Sequence, residues 1–298
     1  MSVKHLVTIG TFDGVHRGHR RVLDHLLRKA RALGMSTTAV VFDVPPRSVL
    51  NPGVPVQLLT TPEERVRLMR AAGVDVVRVL RFGGGLARTP HTRFFNEFLV
   101  GECSAGGILV GPDFAFGRHR RGDADWLRAA CRRRGLHFST PPLLTRHGEK
   151  VSSSHIRTLL VHGKVAEAAK LLGRPYALSG AVVRGLGLGT RIGIPTANMD
   201  ADPRRLLPRG VYAVRARVGG KGRWHPAVCN IGTKPTLGGE GRVSVETHIP
   251  GFKADIYGRE LELRFIAHLR GERRFPSLGA LVRRIRRDCT DARRILGA

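Results

Sequence analysis

Two rhythms of apolar and polar residues run along this chain. Through residue 172, short apolar runs alternate with longer stretches in which apolar positions recur every three or four residues. HLVTIG (5–10) and STTAVVF (36–42) predict buried strands. Between them Val22, Leu23, Leu26, Leu27, Ala30 and Leu33 form one stripe closed by Gly34, which predicts a helix. TPEERVRLMRAAG (61–73) opens on Thr-Pro and ends on Gly, the punctuation of a further helix. VDVVRVLRF predicts a third strand, TRFFNEFLVGE a helix, and GGILVG (106–111) a fourth strand. Strands separated by helices form a parallel sheet covered on both faces, and its ligands collect beyond the carboxyl ends of the strands.

From residue 173 the period shortens. ALSGAVVRG, GVYAVRARVGG, WHPAVCNIG, VSVETHI and ELELRFIAHLR are alternating runs divided by Gly and Pro turns, the pattern of an antiparallel barrel or sandwich. One helix closes the chain, with Leu278, Leu281, Val282, Ile285, Cys289 and Ala292 expected inward and its arginines outward. LLGRPY (171–176) is the expected joint, giving domains 1–172 and 173–298.

Composition narrows the class. With 298 residues and 42% hydrophobic content the chain can bury a core. No apolar run approaches the ~18 residues of a membrane helix, and the N-terminus reads as a first strand rather than a secretory leader. Cys103, Cys131, Cys229 and Cys289 lie far apart with no CxxC pair, which argues against a disulfide framework or zinc site and for a reducing cytoplasm. The formal charge of +28 attracts polyanions. There is no zinc-finger spacing, aromatic platform or basic low-complexity tail, so phosphorylated small molecules are expected partners and nucleic acid is not.

The stretch VTIGTFDGVHRGHRRVLDHLL (7–27) is strand, glycine turn and helix, a geometry that points backbone N–H groups and a positive helix end at a phosphate. His16 and His19, three apart at that helix start, place both rings on one face, and Gly18 between them leaves room for a phosphate. Such imidazoles can donate hydrogen bonds to a transferring phosphoryl group and its leaving pyrophosphate. Asp13 is the neighbour that could complete a metal site, and a surface histidine pair is the plainer alternative. In KVSSSHIRTLLVHGKVAEAAKLLG (150–173), three serines cap a helix whose first turn carries Arg157. Hydroxyls, helix end and guanidinium make a second anion clamp, although a capped helix with a solvated arginine has the same sequence.

The second half has its own constellation. LGLGTRIGIPTANMD is glycine-rich without a P-loop, and its glycines permit a tight flap over phosphates. The hydroxyl of Thr196 and the amide oxygen of Asn198 suit a Mg²⁺–nucleotide complex. Phosphoryl transfer also needs a group to orient or deprotonate the accepting hydroxyl. If Val243 and Val245 face the barrel core, Glu246 points to the other face, where it could meet substrate; an exposed strand glutamate beside a proline turn is the alternative.

GTFDGVHRGH, VGPDFAFGRHRRGD (110–123) and SSSHIR together resemble the HxGH nucleotidyltransferase superfamily, and in that order the N-terminal module of bacterial bifunctional riboflavin kinase/FAD synthetases. GTRIGIPTAN, PRGVYAV, NIGTKPT, VETHI, DIYG and LRGERRFPSLGALVRRIRRD are similar to the riboflavin kinase module of the same family. The resemblance covers nearly the whole chain. It implies a Rossmann-like α/β nucleotidyltransferase domain followed by an antiparallel β-barrel with a terminal helix. It implies ATP-dependent phosphorylation of riboflavin to FMN and adenylylation of FMN to FAD, with Mg²⁺ as cofactor. By carry-over the triphosphate lies over Gly10, Thr11, His16 and His19, with Asp113 near the nucleotide and Ser153, Ser154 and Arg157 on its phosphates. The flavin lies near Phe42 and the DFAFG loop. Thr196 and Asn198 hold Mg²⁺ and ATP, and Glu246 is the base on the ribityl hydroxyl.

The chain departs from the family pattern at Pro45, where a histidine is expected, and at Ser154 and Lys150. In the second half it departs at Thr190, Ile194 and Leu237. The FDVPP stretch with Pro45, and Thr190, motivate a further reading: a specialised paralogue acting on a modified flavin or keeping a single activity. A basic nucleic-acid-binding regulator on the same scaffold is the reading from another class.

Overall fold

The structure is a computed structural model that describes residues 3–51, 53, 56–141, 145–146, 149–185, 187–233 and 243–297. Two compact units divide the chain, Met1–Ser153 and Ser154–Ala298.

The first unit runs β1 (His5–Gly10), α1 (Arg17–Ala32), β2 (Ser36–Phe42), α2 (Pro46–Leu50), α3 (Pro62–Arg70), β3 (Val76–Leu80), α4 (Gly84–Arg88) and α5 (His91–Arg93). A π-helix (Phe94–Glu102), β4 (Ala105–Leu109), β5 (Ala115–Phe116), β6 (Gly122–Asp123), α6 (Ala124–Arg133), β7 (His137–Ser139), β8 (Thr145–Arg146) and β9 (Glu149–Lys150) follow. Five parallel strands lie in the order β3-β2-β1-β4-β7. Alternation sorts their side chains. Leu6, Ala39, Val41 and Leu109 meet Leu23, Leu26 and Ala30 of α1 and Met69 of α3 on one face. Val7, Ile9, Val40 and Ile108 meet Phe94, Phe95, Leu99, Leu127, Ala130 and Cys131 on the other. Because β2 and β4 flank β1 on opposite sides, the carboxyl ends of β1 and β4 form the switch point where such sheets open a crevice. The segment 94–102 is wound as a π-helix rather than the expected ordinary helix, and Cys103 N–H reaches back to the Phe98 carbonyl at 2.9 Å.

The second unit contains the later turns of α7 (Ser153–Val161), then α8 (Val165–Leu172), β10 (Tyr176–Val183), α9 (Leu188–Arg191), β11 (Ala197–Ala201), β12 (Gly210–Val218), β13 (His225–Thr233), β14 (Val243–His248), β15 (Glu260–Arg270) and α10 (Leu278–Leu296). Six antiparallel strands close into a barrel in the order β10-β11-β14-β13-β12-β15. Leu178, Tyr212, Cys229, Ile231, Val245, Leu263 and Phe265 are among its buried side chains, and Phe265 meets the edge of Tyr212 at 5.3 Å. Closure removes the unpaired edges that an open sheet would expose. The terminal helix lies on the outer face, where Ala292 and Leu296 cover Val211, Ala213 and Val228.

The inward face of α10 is more polar than its sequence suggests. Leu278 is 62% exposed, against expectation, because it stands at the first turn, ahead of the part of the helix that meets the barrel. Asp288 is instead buried, bridging Arg270 of β15 at 2.9 Å and Arg284 one turn away at 2.9 Å.

Candidate active sites

In the first unit the candidate site is the turn between β1 and α1. Phe12 and Val15 have φ of 49° and 37°, and Gly14 between them has φ of 83°. A β-branched residue in the left-handed region is strained, and persists only where surroundings over-determine it. Asp13 supplies that determination. Its buried carboxylate accepts from Leu59 N–H (3.0 Å), Thr60 N–H (3.0 Å) and the Thr60 hydroxyl (3.1 Å). Gly14 N–H donates to Thr60 Oγ1 at 2.8 Å, and the Ser153 hydroxyl donates to the Asp13 carbonyl at 2.9 Å. Charge-assisted bonds of this kind contribute about 1.5–3 kcal/mol each. Asp13 thus anchors the turn from inside.

His16 is the N-cap of α1, its Nδ1 accepting from His19 N–H at 3.3 Å. That bond leaves the proton of the neutral ring on Nε2, the nitrogen that can donate outward. The His16 and His19 rings stack at 3.6 Å with 18° between planes, and Phe12 backs His19 at 5.1 Å. The pair therefore shares one face, as its spacing predicts. Gly18 also makes room for the imidazole, since a β-carbon there would sit 3.0 Å from His16 Cε1 and 3.3 Å from the Val151 carbonyl. Gly10 and Thr11 continue the carboxyl end of β1, half-buried, and Asp113 is exposed in the loop after β4, the adjacent strand. Phe42 is buried against Phe82 at 5.4 Å, and Phe114 stacks on Phe116 at 5.6 Å in the DFAFG loop.

Arg65 is a residue that sequence reasoning passed over. Thr61 and Glu64 form a capping box at the start of α3, with Pro62 at its first position. That cap aims Arg65 inward, where its side chain is fully buried. The guanidinium donates to the carbonyls of Thr11 (3.0 Å), Phe42, Asp43 (2.7 Å) and Thr60 (3.4 Å). It joins the carboxyl ends of β1 and β2 and so ties the turn after β1 to the segment after β2. Burial of an arginine leaves no trace in a charge pattern that reads as a solvated helix face. Ser154 is exposed, and Arg157 is half-buried in the second turn of α7, one turn later than expected.

In the second unit the predicted residues converge. β11 is a strand hidden in what reads as a turn, so Asn198 lies within the barrel wall. Asn198 pairs with Glu246, and Ala197 with Thr247, across the β11–β14 ladder. Val245 is 2% exposed and Thr247 1%, so they point inward and Glu246 points out, the side predicted from alternation. Pro195 is tied to the same strand, its carbonyl 2.8 Å from His248 Nδ1. The flap glycines come close. A β-carbon at Gly185 would collide with the Asn198 amide, and one at Gly189 would lie 3.0 Å from Thr196 Oγ1. Gly193, Ile194, His248 and Pro250 then line an open cavity of about 250 Å³, together with Arg286, Cys289, Thr290 and Arg293 of α10. Leu237 and the side chain of Lys150 lie outside the described residues.

The four cysteines are free thiols. Burial pushes the Cys131 thiol up to about 11 and Cys229 up to about 12, so both are protonated core groups rather than nucleophiles.

A strained helix start carrying two stacked histidines, and a barrel face carrying an asparagine–glutamate pair under a glycine flap, define a two-module transferase acting on nucleoside triphosphates. Comparison with known proteins agrees. Residues 2–155 match the FAD synthetase family and residues 172–296 the riboflavin kinase family. A bifunctional riboflavin kinase/FMN adenylyltransferase of Pseudomonas fluorescens is 37% identical over 294 residues, covering 97% of this chain and 92% of the relative. The protein of the same description from Escherichia coli K12 is 35% identical over 292 residues, covering 98% and 93%. The chain belongs to the bifunctional riboflavin kinase/FMN adenylyltransferase family. A solved structure described as a macrolide-efflux protein from Streptococcus pneumoniae superimposes with a TM-score of 0.87 at 29% identity, covering 98% of this chain and 95% of that one. Among the described residues here, no helix is long and apolar enough to cross a membrane.

Proposed function

We propose that this chain phosphorylates riboflavin to FMN and then adenylylates FMN to FAD, with ATP as the donor in both steps. The observation that supports the reading is the pairing of Asn198 with Glu246 on one outer face of the barrel, with Gly185 and Gly189 of the flap close against Asn198 and Thr196. The kinase reaction is assigned to residues 173–298 and the adenylyl transfer to residues 1–172; the riboflavin kinase match covers 172–296 and the FAD synthetase match 2–155. The cytoplasm, where both substrates are available, is the proposed location.

In the kinase step Glu246 accepts the proton of the ribityl 5′-hydroxyl as its oxygen attacks the γ-phosphorus, and ADP leaves. The Thr196 hydroxyl and the Asn198 amide oxygen are hard oxygen donors, and the missing side chains of Gly189 and Gly185 let the flap lie against them, so their chemistry fits Mg²⁺. Bound there with ATP, the ion would offset phosphate charge. In the second step a phosphate oxygen of FMN attacks the α-phosphorus of ATP, and the bond to the β-phosphate breaks to release pyrophosphate. His16 and His19 donate to the phosphoryl oxygens, Gly10 and Thr11 shape the turn beneath them, and Asp113 contacts the nucleotide. Ser153, Ser154 and Arg157 are assigned by their motif to the departing phosphates. Neither step needs a covalent enzyme intermediate, since positioning and charge stabilisation suffice.

The test is a time course of the purified chain with riboflavin, ATP and Mg²⁺, resolved by chromatography with pyrophosphate measured in parallel. FMN should appear first and FAD later, each FAD matched by one pyrophosphate. Riboflavin left unchanged, or FMN that never becomes FAD, overturns the reading in whole or in its second half. Faster turnover of a ring-substituted flavin than of riboflavin would favour the specialised paralogue.

A further inference from the structure

The NIG segment of β13 is a motif that the assigned roles leave unused. Its asparagine, Asn230, pairs with Glu246 across the β13–β14 ladder, while Asn198 pairs with Glu246 from the other side. Residues directly opposite in a ladder carry their side chains on one face, with β-carbons about 5 Å apart. Cys229 and Ile231, on either side of Asn230, are buried at 0% exposure inside the barrel, so Asn230 points out with Glu246. Asn198, Glu246 and Asn230 thus form a single row across three neighbouring strands.

The next outward position on β13 is Gly232, and another carboxylate occupies the space its missing side chain leaves. A β-carbon at Gly232 would collide with Glu272 Oε1 and would lie 3.5 Å from Asn230 Nδ2. Glu246 is drawn to this end of the row as well, because the Ser244 hydroxyl lies 3.4 Å from both Glu246 Oε1 and the Gly232 carbonyl. An asparagine amide has two N–H donors and each carboxylate is an acceptor. Asn230 thus has Glu246 beside it across the ladder and Glu272 against the next outward position of its own strand, and like charges so placed favour a donor group between them.

We infer that Asn230 is a positioning residue for the kinase step, its amide set between Glu246 and Glu272 so that the Glu246 carboxylate is held facing the acceptor hydroxyl. The inference rests on reading Glu246 as the base. Misplacing a reacting group by about 1 Å can cost up to about 100-fold. Asn230→Ala and Asn230→Asp, the latter of the same shape without the donors, should therefore each lower kcat for FMN formation about 10- to 100-fold. The KM values for ATP and riboflavin should stay within about twofold, showing that the fold and binding surface persist. In a Glu246→Gln background, Asn230→Ala should cost nothing further, since a residue acting through Glu246 has no effect once the base is gone.

A wild-type kcat in either Asn230 variant overturns the inference. So does a rise in KM with kcat unchanged, which would make Asn230 a substrate-binding group. Losses that multiply in the double variant overturn it too. The reading of Glu246 fails separately, and is seen in the single Glu246→Gln variant, if that variant keeps the wild-type kcat.

Discussion

The two candidate sites are built on opposite plans. At the start of α1 the backbone is strained and locked from beneath: Asp13, Thr60 and Arg65 bind the turn through buried bonds, and His16 is fixed by the N–H of His19. On the barrel the strands themselves place Asn198, Glu246 and Asn230 in register, while the covering segment is glycine-rich and closes against Thr196 and Asn198. In the proposed reading the first site is a preformed anion cradle, and the second a rigid wall under a flap. A loop that must meet a phosphate needs its conformation fixed by something deeper, whereas a sheet face already has it fixed by the ladder.

Removing the lock should produce the largest effect. Arg65→Met leaves several buried carbonyls without a donor, each costing about 1–3 kcal/mol. Calorimetry should show the unit containing the parallel sheet melting earlier by a corresponding amount, with the barrel transition unmoved. Equal loss in both transitions would mean that the lock is not local.

Glycine substitutions sharpen the contrast. Gly18→Ala pushes on the His16 ring and should lower kcat for FAD formation about 10- to 100-fold, leaving FMN formation intact. Gly185→Ala pushes on Asn198 and should instead raise the KM for ATP in the kinase assay, with FAD formation from supplied FMN unaffected. If the two alanines produced the same kinetic pattern, the distinction between cradle and flap would be lost.

The smallest effect lies at the far end of the parallel sheet. The Thr37 hydroxyl, then the Thr37 N–H, hold the Asp75 carboxyl below its ordinary value. A carboxylate with a depressed folded pKa contributes stability that is present above its unfolded value and lost as pH falls. Asp75→Asn should therefore flatten the acid limb of the stability curve below about pH 4, read by urea melts at a series of pH values. An unchanged limb would remove Asp75 from the account.

Much of the plan was legible in the residues. β1, β2 and β15 occupy the ranges that their apolar runs mark, because a strand with both neighbours paired must be apolar wherever it is covered. His16 and His19 could be placed on one face from spacing, and Glu246 on the outer face from the buried Val245. What stayed hidden shares one cause. β11 carries Asn198 and Asp200, residues of low strand preference, and its strand character comes from pairing with β10 and β14. Arg65 and Asp288 are charges whose burial depends on carbonyls or arginines brought by folding. Local pattern reports local preference, and these three are decided by partners remote in the chain.

The central claim is that two independent sites perform successive reactions, and a double dissociation tests it most directly. His19→Ala and Glu246→Gln are each given riboflavin and ATP with Mg²⁺, and in a second assay FMN and ATP, with products separated by chromatography. His19→Ala should accumulate FMN while FAD formation falls about 100-fold or more. Glu246→Gln should leave riboflavin largely unphosphorylated yet convert supplied FMN to FAD at the wild-type rate. Loss of both reactions in both variants would contradict the account.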